Sequence, residues 1–279
     1  MEVKVAVPGS AETSKREPKS HVRARRDKPP EYPERFPVPD QCVRWSIAYP
    51  EYAPPRYESS KLARPECSPA NFADVTTRLL SHEPGGIRYD GVTGEPCNPR
   101  GRTGMSGRGV LWHWGPNHAA DTLATRFNTD TERLEALLIR RHDGTYALPG
   151  GMMNPGEGAA DAAARELLEE TGTDFGSCGR FVELYRGYVD DPRNTDNAWI
   201  ETVVFHRDLG PVAPSDMKEP KGGDDAQEAA WKALTPEVIN GLYASHASFV
   251  KLGLEVLVEN VRAAPEIRAA AAALLGLPA

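Results

Sequence analysis

The clearest helical period of apolar and polar positions runs from residue 158 to 171. This stretch is rich in alanine, leucine and glutamate, holds no proline and is followed by Gly172 as a stop. At about 100° per residue, Glu166, Glu169 and Glu170 share one face, while Leu167 and Leu168 are expected to point toward a core. Around the helix the pattern changes to short strand-like stretches. These are Arg133–Arg140, residues 146 to 148 leading into a glycine-rich loop, and residues 181 to 188, 198 to 206 and 229 to 233. Residues 245 to 261 return to helical spacing, with Phe249, Leu252, Val256 and Val261 on or near one stripe. The alanine run 269 to 273 favours either a helix or a frayed terminal extension. Strands before and after a central helix, with a closing helix behind them, predict an α/β protein.

The flanks read differently. Residues 37 to 116 are rich in proline, glycine and tyrosine with only short apolar runs, which predicts turns and short strands covering one side of a ligand cleft. Residues 1 to 34 carry Lys15, Arg16, Arg23, Arg25, Arg26 and Lys28 among prolines and few large apolar side chains, the composition of a disordered basic tail or linker. The expected organisation is therefore a tail over 1–34, a smaller N-terminal α+β subdomain over 35–117, the main domain over 118–262, and an alanine-rich C-terminal extension over 263–279.

Composition narrows function mainly by exclusion. With 33 basic and 40 acidic residues the net charge is -7, which argues against a nucleic-acid binder and leaves any anionic ligand to local cations and metal. No apolar run approaches the ~18 residues that span a bilayer, and the N-terminus lacks a signal-peptide core. Glu2, Glu12 and Glu17 also interrupt the basic character of a mitochondrial presequence, so a cytoplasmic location is expected, with a mitochondrial one as the alternative. Cys42, Cys67, Cys97 and Cys178 lack metal-ligand spacing and read as free thiols.

The chemistry sits at the helix. The run GMMNPGE from residue 151 to 157 is followed after seven residues by RELLEETG from 165 to 172. Three carboxylates on one helix face, about 5 Å apart, repel by roughly 3 kcal/mol at an effective dielectric of 20, so they shift their pKa values or take up a cation. Hard oxygen donors of this kind suit Mg2+, with Mn2+ as the alternative. Arg165, four residues before Glu169, is near enough to orient that carboxylate. The glycines allow main-chain groups to approach a phosphate, and Glu157 adds a further acid at the helix start.

This pattern resembles the Nudix box, G-x5-E-x7-R-E-U-x-E-E-x-G-U with U aliphatic, at every position except the last, where Thr173 stands for the aliphatic residue. The resemblance implies an α/β/α sandwich with a mixed sheet, metal ligation by Glu166, Glu169 and Glu170, and an orienting role for Arg165. Residues 101 to 121, 187 to 199 and 242 to 246 are similar to Nudix hydrolases of the ADP-ribose pyrophosphatase type. They are similar as well to the homologous C-terminal domain of ADP-ribose-gated, melastatin-type TRP cation channels, and residues 35 to 40 are similar to the entry into that channel domain. That likeness covers roughly residues 35 to 255. It implies ADP-ribose contacts at His118, Asp121, Asp191, Arg193, Tyr243, Ser245 and His246, and hydrolysis of the diphosphate to AMP and ribose 5-phosphate.

The general base stays open between Glu170 and an acid near the start of the 229–233 strand, Asp225 or Glu228. The competing reading is the ADP-ribose-binding domain of a parent channel, with or without hydrolysis. In vertebrate channels the box is degraded at its arginine-glutamate and paired-glutamate positions, whereas this chain keeps Arg165, Glu166, Glu169 and Glu170.

Overall fold

The computed structural model describes residues 21–176, 180–223 and 228–278. Its elements in chain order are α1 (Arg23–Arg26), β1 (Arg56–Glu58), β2 (Arg88–Tyr89), β3 (Pro96–Cys97), β4 (Ser106–Gly109), β5 (Gly115–Asn128), β6 (Arg133–Arg140), β7 (Tyr146–Ala147) and β8 (Gly150–Met152). There follow α2 (Ala159–Thr171), β9 (Arg180–Tyr188), β10 (Ala198–Val212), β11 (Glu228–Ala233), α3 (Pro236–Asn240), α4 (His246–Glu259) and α5 (Pro265–Leu274). A seven-stranded mixed sheet has the path β11-β6-β5-β10-β9, with β7 on β6 and β8 on β5. Only β5 and β10 run parallel within it; the other pairs are antiparallel.

Strand β5 is the axis of the fold, and it changes partner along its length. Ala119, Ala120 and Asp121 pair with β8, and Thr125 to Asn128 pair with β6. The gap between those pairings lets the glycine-rich loop of β8 lie beside the sheet's centre. Alternation along β5 and β10 then separates two layers. Ala120, Val203 and Phe205 face α2 through Ala162 and Ala163, while Ala124 and Leu137 meet Leu167 and Phe175. On the other side, Leu123, Phe127, Leu138 and Val204 meet Phe249, Val250, Leu254 and Leu257 of α4, with Ile267 and Ala271 of α5. Helix α4 crosses β5 so closely at Gly253 that an added Cβ would lie 2.4 Å from Leu123 Cδ2. These layers form the α/β/α sandwich, and α5 is packed into its core.

Helix α2 begins one residue after its expected start and ends at Gly172, whose left-handed φ of 63° and N–H to Leu168 carbonyl bond close the last turn. Leu167 is buried, but Leu168 is 50% exposed, contrary to expectation. Leu167 continues the stripe of Ala163, and Leu168 lies about 100° further round, outside the contact with the sheet. Thr173, where the motif expects an aliphatic residue, spends its hydroxyl on the Thr171 carbonyl. Phe175, two residues on, fills the core position with Leu167, Ala124 and Leu137.

Residues 21 to 34, read from composition as part of a disordered tail, form a strap packed on the rest of the molecule; residues 1 to 20 lie outside the described residues. Ala24 and Tyr32 are buried, and the amides of Val22, Arg23 and Ala24 all donate to the Asp190 carboxylate. His21 bridges the Tyr188 hydroxyl and the Arg102 carbonyl. Composition missed this because the strap is held by polar contacts. The N-terminal region is joined to the sheet in the same way, through buried Asn98, Thr103, Asn117, Asn194, Thr195 and Asp196. Asp196 alone accepts from Tyr52 Oη and from both the amide and hydroxyl of Thr103.

Cys42, Cys67 and Cys97 are free, and Cys178 lies outside the described residues. Among the described residues no helix is long and apolar enough to cross a membrane.

Candidate active site

The site is built where β8 meets α2. Gly150 pairs with Asp121, and its N–H donates to Glu170 at 2.9 Å, while a Cβ on Gly151 would lie within 2.6 Å of the Glu166 carboxylate. Glycine is required at both positions, since a Cβ at Gly150 would meet the Asp121 carboxylate and the Ala120 carbonyl of β5, and one at Gly151 the Glu166 carboxylate. Glu170 is buried and Glu166 is mostly so; Glu169 is half exposed.

Arg165 organises these acids more widely than its spacing from Glu169 suggests. It forms a two-point pair with Glu157 at 2.8 Å through each nitrogen, and reaches Glu166 at 2.8 Å, Glu169 at 3.1 Å and the Met152 carbonyl at 3.1 Å. Hydrogen bonds from Arg165 and the Asn154 amide hold the Glu157 carboxyl down to about 2. Burial instead pushes Glu166 upward, against Arg165. Glu166, Glu169 and Glu170 do not close into a set of three converging donors, because each carboxylate is occupied by Arg165 or by the Gly150 amide.

The fit to a divalent cation rests on the donor set and on charge. The donors are all carboxylate oxygens, and Glu166 is buried at a cost that a cation would offset.

A second group lies on the α4 side of the sheet. Asp191 accepts from Arg193 Nε at 2.8 Å and Nη2 at 2.9 Å, and from the Tyr243 hydroxyl at 3.4 Å. Burial works against the charge of both partners, but their mutual attraction wins: Asp191 is lowered and Arg193 raised. Arg141 lies over the Tyr243 ring, its guanidinium carbon 3.9 Å from the centroid. His246 accepts from the Leu148 amide on Nδ1 at 2.9 Å, which puts the imidazole proton on Nε2. Burial and then Arg141 push its pKa down to about 4, so it stays neutral at ordinary pH.

Tyr243 and Ser245 flank Ala244, which holds a left-handed φ of 46° that non-glycine residues seldom adopt. Ser245 sits at the start of α4 without using its hydroxyl as a cap.

Asp121 connects the two groups. It is buried, accepts from Thr202 Oγ1 at 2.6 Å, and feels Arg193, Glu166 and Asp191; burial pushes its pKa up to about 6 despite the Thr202 bond. His118 stands apart. It lies three residues before Asp121 and so on the other face of β5, where its ring is 4.5 Å from His82. Asp225 lies outside the described residues, and Glu228 pairs with Lys232 at 3.2 Å.

Two contributors escaped the reading of residues as isolated types. Arg141 was not singled out; its signal is its place directly after the predicted strand Arg133–Arg140. The strap was the other: Tyr32 Oη donates to the Arg193 carbonyl at 2.8 Å, and Arg35 reaches the carbonyls of Pro192 and Asn194 at 2.6 and 3.0 Å. A groove of about 690 Å3 between Val43, Arg88 and Arg100 in the N-terminal region contains none of these residues, so chemistry and not volume locates the site.

Comparison with known proteins gives the family. The NUDIX domain family model matches residues 117–252, and the model described as NUDT9-like, N-terminal domain matches 38–115. A Caenorhabditis elegans protein provisionally named nudix hydrolase 6 is 40% identical over 241 residues, covering 78% of this chain and 89% of that protein. The mitochondrial ADP-ribose pyrophosphatase of Rattus norvegicus is 35% identical over 278 residues, covering 85% and 78%. A transient receptor potential cation channel subfamily M member-like 2 of Nematostella vectensis is 34% identical over 78% of this chain, which amounts to 16% of that channel. Among solved structures, a MutT/nudix family protein from Enterococcus faecalis aligns over 58% of this chain and 68% of its own, with 23% identity and a TM-score of 0.45.

Proposed function

The chain belongs to the Nudix family, and from that premise we propose that it hydrolyses the diphosphate bond of ADP-ribose, giving AMP and ribose 5-phosphate with Mg2+ as the metal. The observation that carries this reading is the charge pattern around Asp121. Glu157, Glu166, Glu169, Glu170, Asp121 and Asp191 gather there with three guanidiniums, those of Arg165, Arg193 and Arg141. Six acids against three guanidiniums would repel a diphosphate, so the acids call for a cation before an anionic substrate can sit beside them. A magnesium ion held by Glu166, Glu169 and Glu170 would offset charge on the diphosphate and lower the pKa of an attacking water.

The chain's own residues do the rest. Arg165 holds Glu157, Glu166 and Glu169 in fixed orientations. Gly150 and Gly151 bring main chain up to Glu170 and Glu166 without side-chain obstruction. On the α4 side, Arg193 and Arg141 supply positive charge for phosphate or a cationic face for adenine, and Tyr243 supplies an aromatic surface. Asp191, Ser245 and Asp121 can accept from ribose hydroxyls, and neutral His246 can donate from Nε2. Glu170 lies inside the site as a candidate base, whereas Glu228 is committed to Lys232.

The channel relatives favour one further reading, an ADP-ribose-binding domain. Product analysis of purified protein with ADP-ribose and Mg2+, with and without chelator, separates the two. Metal-dependent AMP supports the hydrolase; tight binding without AMP supports the binding domain and overturns the proposal.

A further inference from the structure

On the α2 face of the sheet, His82, His118 and Glu201 place one donor atom each within 4.8 Å of one another. His118 and Glu201 are paired residues of β5 and β10, so rigid strands set their separation. His82 comes from the N-terminal region. We propose that these three residues form a second metal site, distinct from the diphosphate site, that takes Zn2+ or a similar borderline first-row divalent ion.

Three observations point to a cation here. His118 Nε2 donates to the Leu80 carbonyl at 3.0 Å, since a carbonyl can only accept, and this leaves Nδ1 with its lone pair free. His118 Nδ1 is buried with no hydrogen-bond partner, and so is Nε2 of His82. Two orphaned imidazole nitrogens on adjacent rings leave a hydrogen-bonding deficit that a bound ion would remove.

Glu201 is fully buried, and its oxygens accept only from neutral donors: Ser81 Oγ at 2.6 Å, the His82 amide at 2.5 Å and Trp199 Nε1 at 2.9 Å. A carboxylate buried without a cation is poorly compensated, while those same donors would fix it as a ligand. Two imidazoles and one carboxylate are a donor set for zinc, in contrast to the all-oxygen set around Arg165. His82 and His118 are partly exposed, which leaves a route for the ion and for a water as the fourth ligand.

The ion would join the 80–83 segment to the centre of the sheet. That segment already reaches β9 through the Tyr188 amide to Glu83 at 2.9 Å, and the His118 carbonyl accepts from Met153 in the glycine-rich loop at 2.9 Å. The site is thus a clamp between the N-terminal region and the strand that carries the loop.

Chelator-stripped full-length protein titrated with Co2+ should bind one equivalent with the intense visible absorption of a four- or five-coordinate site. The band should persist in Glu166→Gln/Glu170→Gln and disappear in His82→Gln and in Glu201→Gln. Zn2+ at a hundredfold over its Kd should raise the melting temperature of the wild type by roughly 5 °C and leave His82→Gln unmoved. No band and no Zn2+-dependent shift in the wild type would overturn the proposal, as would a band lost in the double glutamine variant alone. The readout does not involve turnover, so it stands whether or not ADP-ribose is cleaved. If Glu201→Gln fails to fold, His82→Gln, at a partly exposed position, and the wild-type titration still decide the matter.

Discussion

Tyr32→Phe tests whether the strap positions the ligand side of the site. The Tyr32 hydroxyl donates to the Arg193 carbonyl at 2.8 Å and accepts from the Val110 amide at 2.9 Å, and the residue is 2% exposed. Gly109 is left-handed at φ 64°, and a Cβ there would lie 1.9 Å from that hydroxyl, so the chain has been shaped around it. Phenylalanine keeps the ring and its packing on Tyr57 but leaves one carbonyl and one amide without a partner. Each orphaned group costs about 1 to 3 kcal/mol when fully buried. Water can reach Arg193, whose side chain is 36% exposed, so the sum is about 2 kcal/mol, or a fall of about 4 °C in Tm.

Part of that loss should appear in binding. The loop that carries Asp191 and Arg193 keeps its bonds from Arg35 and from the strap amides to Asp190, so it loosens without detaching. We expect the Kd for ADP-ribose to rise about five- to tenfold, close to 1 kcal/mol. Calorimetric titration in chelator, where turnover is suppressed, measures the affinity, and scanning calorimetry measures the stability. A lower Tm with unchanged Kd would refute the positioning role, and no change in either would refute the strap.

Other outcomes follow from the same geometry. Glu166→Gln with Glu170→Gln should lower AMP release at least about a hundredfold while the Tm moves only a few degrees, and retained turnover would remove these acids from the chemistry. Phe175→Ala should cost about 3 kcal/mol in denaturant unfolding, whereas Thr173→Ala should cost well under 1 kcal/mol; equal losses would refute the exchange of core roles between them. Burial pushes the Asp196 carboxyl up to about 6 from 3.8, against the bonds from Tyr52 and Thr103. A raised folded pKa means its stabilising contribution is fully present below about 3.8 and is lost as pH rises through about 6. Asp196→Asn, which cannot ionise, should therefore gain about 3 kcal/mol relative to wild type between pH 4 and 8; a pH-independent difference would contradict this.

The contrast between what was legible and what was not has a common physical cause. Helix α2 could be read because its instructions are local: alanines and leucines at helical spacing, Gly172 as a stop, and acids whose offsets place them on one face. The strand Arg133–Arg140 was legible from its own short apolar run bounded by charged residues, although it is buried throughout its middle and does not alternate. Strand β5 was not. Its sequence GPNHAADTLATRFN has few β-branched residues, and it is buried on both faces, so neither composition nor period marks it. What makes it a strand is pairing with β10, β8 and β6, from segments far away in the chain.

The same division runs through the site. Arg165, Glu166, Glu169 and Glu170 lie within two turns of one helix, so spacing alone juxtaposes them, whereas the loop must turn back to bring Glu157 onto Arg165. Asp191, Arg193, Tyr243 and His246 meet because β9, the following loop and α4 fold back on β5, and only resemblance to a family could name them in advance. Resemblance, however, carries identity without orientation: it grouped His118 with Asp121, and the three-residue offset on a strand sends them to opposite faces. The strap shows the limit of composition from the other direction. A segment poor in apolar residues can still be fixed when three successive amides converge on one carboxylate and a tyrosine hydroxyl pairs with two partly buried backbone groups. Such contacts join positions more than a hundred and fifty residues apart at Asp190 and Arg193, and no local pattern encodes them. A truncation chosen at residue 35 from composition alone would therefore remove the support of the Arg193 loop, and its loss of affinity would be mistaken for loss of a ligand contact.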